Sequence, residues 1–466
     1  MNIVSISDIH DKKTEIDTHV RIRGWVRNKR DSKSGISFID VYDGSCFYTI
    51  QVVAYHVLTN YYQEIIKLTV GCSIIADGIL IKSLGKNQLY EVKAKKIKII
   101  GWIKNASSYP MSSKRHTIEH LRKYSHLRPR TNFIGAVSRI RSCLFHALHK
   151  FFFDKGYFWI STPIITGLNA EGGGAMFKIS TLDFLNIPIN SSSKVDFKKD
   201  FFGQESFLSV SGQLSLEAYA CALSKVYSFG PTFRAENSNT SRHLSEFWML
   251  EVEIAFFKLN DLILLSEDML KYVTNVILEK CSVDIEFLEK HLDVKIVSRL
   301  QEVSTRKLIV IEYREAIDIL KQSDQFSSQS IFPNMDLSSE HERYLVEQYF
   351  KFPIIIINYP RSCKAFYMKL NKDRTTVAAM DLLVPQVGEI LGGSEREEKL
   401  ENLDERFAEF GLDKKSYWWY RDLRKYGTVP HSGFGLGFER LLAYIIGIKN
   451  VRDVSPFPRT INDCNI

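Results

Sequence analysis

Strict alternation of apolar and polar residues marks the first clear element of the chain. In HVRIRGWVR, residues 19–27, Val20, Ile22 and Val26 fall on one side and Arg21, Arg23 and Arg27 on the other. A period of two predicts a half-buried β-strand with a basic outer face. ISFIDVYD and FYTIQVVA follow as strands, separated by the turn-forming DGS at 43–45. A short helical stretch is expected near 60–68, after which CSIIADGILIKS and YEVKAKKIKII return to strand-like alternation. Residues 104–132 break the pattern: Ser-rich and basic with two prolines, they read as a linker or hinge. From Phe133 the period lengthens. Ile134, Val137, Ile140, Leu144 and Leu148 recur every three or four residues, which predicts a long helix leading into the strand FWISTPIIT.

Five short strands interrupted by one helix suit an OB-fold β-barrel over residues 1–103, an architecture whose exposed face takes single-stranded nucleic acid. The charge distribution points the same way. The chain carries +8 overall, from 62 basic and 54 acidic residues, yet residues 1–130 hold 22 Lys/Arg against 11 Asp/Glu. A basic first quarter on a slightly acidic remainder implies a polyanionic partner. Arg27, Lys29, Arg30 and the lysines at 93, 95, 96 and 98 are placed to track phosphates, and Phe38 to stack on a base. With 45% hydrophobic residues the chain has ample core material, and it has no apolar run of about 18 residues to span a membrane. Seven dispersed cysteines without a CxxC pair, and no leader-like N-terminal pattern, fit a cytoplasmic protein with reduced thiols.

The rest of the chain holds three segments suited to phosphate chemistry. In FRAENSNTSRHLSEFWMLEVE, residues 233–253, two strand-like ends flank a polar loop. Arg234 and Glu236 are expected on one side of the first strand, the arginine to grip a phosphate or carboxylate and the glutamate to order it or accept from an amine. In DLLVPQVGEILGGSER, residues 381–396, Asp381 and Glu389 are hard oxygen donors flanking a Pro turn, suited to Mg²⁺ on a nucleotide. In GFGLGFERLLAYIIG, residues 433–447, a Gly-rich strand meets a helix with Arg440 at the junction. A cation at a helix start opposes the macrodipole, so its presence there suits an anion lying against it. Neither a GxGxxG fingerprint with its βαβ context nor a GxxxxGK[ST] loop is present.

Together these segments resemble motifs 2 and 3 of the class II aminoacyl-tRNA synthetases, and YFWISTPIIT, with Pro163, resembles motif 1. The resemblance implies an α+β chain: a five-stranded OB-fold anticodon-binding barrel (1–103), a linker (104–132), and a class II synthetase core (133–466) built on an antiparallel sheet flanked by helices. Residues 271–335 look like insertion material without an assignable role. SVSGQLSLEAYACALSKVYSFGPTFRAENSNTSRHLSEFWMLE is similar to the asparaginyl branch. Aspartyl enzymes usually carry a Ser-Pro-Gln followed by a lysine for the substrate carboxylate, whereas here Gly212 precedes Gln213 and Leu216 stands at the lysine position. Without that cation a bound aspartate side chain would be poorly compensated, and a neutral amide would not.

Carried over residue by residue, the resemblance implies that Glu171 and Gln213 receive the substrate ammonium. Arg396 then meets the asparagine side-chain carbonyl and Glu251 its amide. Arg234, Glu236 and Arg440 form the catalytic set, with Arg234 on the α-phosphate and Arg440 on the γ-phosphate of ATP. Phe247 stacks on adenine, His243 lies near the phosphates, and Asp381 and Glu389 hold Mg²⁺. On the barrel, Phe38, Gln51 and Glu91, helped by Arg27, read the anticodon of tRNA(Asn). A homodimer through motif 1 is expected. Glu395 stands where the family commonly has Gln, so its carboxylate either pairs with Arg396 or faces solvent. Three alternatives stay open at this level: an aspartyl-tRNA synthetase, discriminating or non-discriminating in its choice of tRNA; a synthetase-like amide ligase; and a non-catalytic RNA-binding relative.

Overall fold

The structure, a computed structural model, describes residues 2–85, 88–170, 175–326 and 331–465. It divides into two compact units, residues 1–139 and 140–466.

In the first unit the alternating segments form β1 (His19–Ser32), β2 (Ile36–Tyr42), β3 (Ile50–Tyr55), β4 (Ser73–Lys82) and β5 (Tyr90–Gly101). They are ordered β1-β2-β3-β5-β4, and β4 pairs back onto β1, closing a five-stranded barrel. The apolar set of each strand, including Val20, Ile22, Val41, Val52, Ile74 and Val92, fills the interior. Two local readings shift. The helical stretch near 60–68 contains a single 3₁₀ turn, Ile65–Lys67, and the third strand begins at Ile50 rather than at Phe47. Residues 104–132 are packed rather than extended, with a short helix at Ile118–Lys123 and with Met111 and Leu121 buried.

The long predicted helix is α1 (Asn132–Asp154). The strand expected over FWISTPIIT is interrupted. Its first two residues form β6 (Phe158–Trp159), while Ile165–Thr166 join a separate three-stranded sheet. Pro163 lies in the break, where it has no N–H to offer a ladder. An eight-stranded sheet organises the second unit through β7 (Lys225–Phe233), β8 (Glu246–Ala255), β9 (Ile309–Glu312), β10 (Ile354–Ile357), β11 (Ala379–Val384), β12 (Gly388–Glu395) and β13 (His431–Gly437). The order is β9-β10-β11-β12-β13-β8-β7-β6, antiparallel except at the β9/β10 and β7/β6 pairs. Residues 271–335 are thus partly built into the sheet, since they supply edge strand β9. Helices α2 (Gln213–Leu223), α3 (Leu259–Lys280) and α5 (Phe438–Ile446) pack on this sheet, and α4 (Trp418–Lys425) packs on α2. No helix among the described residues is long and apolar enough to cross a membrane.

Candidate active site

Two cavities of about 850 and 1080 Å³ adjoin on the sheet, sharing Arg234, Met249, Glu389 and Gly435 in their walls. The first is also lined by Glu236, Arg242, His243, Phe247 and Arg440. Gln213, Glu251, Glu253, Lys364, Asp381 and Arg396 line the second. Strand register creates this convergence. Glu251 and Glu253 alternate onto the same face of β8, opposite Gly435 and Gly433 of β13. A Cβ on Gly433 would lie 2.1 Å from a Glu253 carboxylate oxygen, so only glycine leaves room for that side chain.

Arg396 is almost fully buried and clasps Glu253 through Nε at 3.1 Å and through Nη2, while Nη1 donates to Ser394 Oγ at 2.8 Å. Glu253 is a site residue that sequence reasoning missed. Glu395 neither pairs with Arg396 nor faces solvent, contrary to both expectations. It accepts the Leu259 N–H at 3.0 Å and pairs with Lys369 at 3.1 Å, because neighbouring side chains on a strand point to opposite faces. Glu251 is buried and accepts from Ser211 Oγ, the Gly212 N–H at 2.9 Å and Ser228 Oγ at 3.3 Å. Burial pushes its carboxyl up, against the pull of these donors. Gln213 opens α2, and its Nε2 donates to Glu217 at 3.2 Å. Leu216, the residue at the aspartyl lysine position, is fully buried. Glu171 lies outside the described residues.

Arg234 and Glu236 are not on a strand, because β7 ends at Phe233; both nevertheless reach the first cavity. The Arg234 guanidinium lies 5.4 Å from the Phe247 ring centre. Arg440, third in α5, donates through Nη1 to the Glu389 carbonyl at 3.0 Å and its carboxylate at 3.2 Å. Arg242 was also missed. It pairs with Glu342 at 2.9 Å and so ties the polar loop after Phe233 to the short helix Ser339–Arg343, whose Glu342 also accepts the Glu389 N–H of β12 at 3.2 Å. His243 lines the same cavity, with Nδ1 2.6 Å from Thr240 Oγ1. Burial lowers its pKa, and Arg440 and Arg242 lower it further.

Asp381 and Glu389 converge over Gly392: a Cβ there would sit 3.1 Å from one Glu389 oxygen and 3.3 Å from one Asp381 oxygen. Burial raises the Asp381 carboxyl although Lys364 Nζ donates to it at 2.5 Å. For Glu389 the loss of solvent also acts upward, but Arg440, Lys364 and Arg242 hold its pKa below the ordinary value. No group of three or more His, Cys, Asp or Glu suited to a metal occurs among the described residues. A pair of hard oxygens fits Mg²⁺ that takes its remaining ligands from phosphates and water.

On the barrel, Phe38, Gln51 and Glu91 come together. Gln51 pairs with Glu91 across β3 and β5, donating to it at 3.2 Å, and Ser83 Oγ also donates to Glu91 at 2.8 Å. Arg30, rather than Arg27, joins this group; it lies 5.3 Å from the Phe38 ring centre and donates to Gln51 at 3.2 Å. Arg27 stands over Tyr42 at 4.2 Å.

Residues 117–461 match the model of the class II tRNA synthetases (D, K and N), and residues 20–100 match an OB-fold nucleic acid binding domain. An asparagine–tRNA ligase of Buchnera aphidicola subsp. Baizongia pistaciae is 63% identical over 460 residues, 99% of each chain. One from Escherichia coli is 56% identical over 460 residues, again 99% of each. The solved asparaginyl-tRNA synthetase of Pyrococcus horikoshii, complexed with asparaginyl-adenylate, superimposes with a TM-score of 0.86 at 32% identity, covering 99% of both chains. A closed barrel, a catalytic sheet with two joined cavities, and this similarity over nearly its whole length lead to one conclusion: the chain belongs to the class II tRNA synthetases, in their asparagine–tRNA ligase family.

Proposed function

We propose that this chain activates L-asparagine with ATP to asparaginyl-adenylate and transfers the asparaginyl group to the terminal 3′-hydroxyl of tRNA(Asn). The observation that carries this reading is that Arg234 lines both cavities. A nucleotide in the first and an amino acid in the second meet at that guanidinium. The asparagine carboxylate, already ionised, attacks the α-phosphate there and displaces pyrophosphate without a protein nucleophile; the tRNA hydroxyl then attacks the adenylate's carbonyl carbon and displaces AMP. Catalysis is then mostly positioning plus stabilisation of developing phosphate charge by Arg234 and Arg440. Glu236 orders the nucleotide end, Phe247 offers its ring to adenine, and His243 faces the phosphates. Asp381 and Glu389 would hold Mg²⁺, which supplies charge neutralisation for the polyphosphate when bound.

In the second cavity Gln213 receives the ammonium, and Glu251 takes the side-chain amide N–H. Arg396 donates to the side-chain carbonyl. Its charge is already neutralised by Glu253 and Leu216 adds no second cation, which favours an amide over a carboxylate. A homodimer forms through the motif 1 surface, where Phe158, Trp159, Pro163 and Ile164 are exposed.

The barrel reads the anticodon by stacking on Phe38 and by hydrogen bonds to Gln51 and Glu91, with Arg30 and Arg27 supplying positive charge. Aminoacylation of a tRNA(Asn) transcript by Phe38→Ala tests this. Its Michaelis constant for tRNA should rise by about tenfold or more, the worth of one stacked base, while adenylation stays unchanged. Equal loss in both steps would contradict the assignment.

A further inference from the structure

Glu217 is fully buried and accepts from four side chains on three elements of the fold. Arg424 of α4 donates at 2.7 Å, His431 Nε2 at the start of β13 lies 2.8 Å away, and the Tyr420 hydroxyl of α4 donates at 2.8 Å. The fourth donor is Gln213 Nε2 at 3.2 Å, one turn earlier on α2. Burial alone would raise the Glu217 carboxyl, but Arg424, then His431 and Arg396, hold it well below the ordinary carboxylate range.

An ionised carboxylate only accepts, so its partner on Gln213 must be the amide nitrogen. That fixes the orientation of the amide and leaves Oε1, an acceptor, for the second cavity, whose wall Gln213 forms. An ammonium needs acceptors; a glutamine turned the other way would present N–H to N–H. The same cluster is linked to the far end of the pocket, since the backbone N–H of Arg396 donates to the His431 carbonyl at 2.9 Å.

We propose that Glu217 is a positioning residue for substrate, orienting the Gln213 amide so that its oxygen receives the α-ammonium of asparagine. The proposal rests on the reading of the second cavity as the amino-acid site. Nothing in the chemistry requires Glu217 to touch substrate; it acts through Gln213, with Arg424, His431 and Tyr420 fixing the carboxylate in turn.

The test is Glu217→Asp, which keeps the charge for Arg424 and withdraws the carboxylate from Gln213 by about one methylene. The asparagine Michaelis constant in pyrophosphate exchange should rise about tenfold, with kcat and the ATP Michaelis constant within about twofold of wild type. Succinamate, which is asparagine without its α-amino group, serves as the control inhibitor. Its inhibition constant should not move, because it has no ammonium for Gln213 to receive. An unchanged asparagine Michaelis constant, or equal weakening of asparagine and succinamate, would overturn the proposal. Where the aspartate variant fails to fold, Glu217→Gln with Arg424→Met removes both buried charges together and is expected to give the same split. Absence of exchange with asparagine in the wild-type protein would instead bring down the underlying reading.

Discussion

The two adjoining cavities use the same kinds of ion pair in opposite ways. In the amino-acid cavity Arg396 and Glu253 meet bidentately with side chains only 2% and 1% exposed, and behind Gln213 of its wall Arg424 and Glu217 are both at 0%. In the nucleotide cavity Arg440 reaches the Glu389 carboxylate through one nitrogen, and those side chains are 23% and 35% exposed. A buried bidentate pair is costly to open and stays closed to an incoming charge. A partly solvated single contact exchanges its partner cheaply, so Arg440 is free to turn to a phosphate. One cavity is thereby suited to a neutral side chain and the other to a polyanion, although arginines and glutamates line both.

Removing the shared cation should break both sides at once. Arg234→Ala is expected to lower the exchange rate by about 10²–10³, the usual worth of one preorganised donor at developing charge. Opening the closed pair acts on selectivity. Glu253→Gln leaves Arg396 an uncompensated buried cation, so exchange with aspartate relative to asparagine should rise by at least about tenfold, equivalent to about 1.4 kcal/mol. The same variant should lose about 3–5 kcal/mol of stability in denaturant unfolding, as buried pairs do when one partner is removed. The smallest effect concerns pH. His243 is held neutral below its ordinary pKa by burial, Arg440 and Arg242, and a bound triphosphate reverses that field. Nucleotide binding therefore takes up a proton at His243, and acidifying from about pH 7.5 to 6 should tighten ATP about two- to threefold more in wild type than in His243→Gln.

Local pattern was enough for much of the fold and fell short at particular contacts. The alternation of Val20, Ile22 and Val26 marks a strand, and its closure into a barrel follows from five such segments in a row. What alternation does not reveal is the bulge in β1 between Val26 and Asn28. Past that irregularity Arg30 meets Phe38 and Gln51, whereas Arg27, named from the family resemblance, stands over Tyr42. The Glu253–Arg396 pair spans 143 positions and depends on β8 lying beside β13 with Gly433 opposite Glu253. The spacing of Glu251 and Glu253 by two placed both on one face, a signal available in the sequence, but nothing local named the partner. Arg242 escaped notice for a similar reason, since Glu342 lies a hundred residues further on. Arg234, Arg440, Asp381 and Glu389 were legible because their segments carry the family's motifs, and all of them line the joined cavities.

The central claim is that a charge-closed cavity selects the amide of asparagine. ATP–pyrophosphate exchange with Mg²⁺, comparing asparagine, aspartate and no amino acid, tests it most directly. Exchange with asparagine alone is the predicted result. Comparable exchange with aspartate would contradict the claim, because the closed Arg396–Glu253 pair and Leu216 would then not be setting the choice.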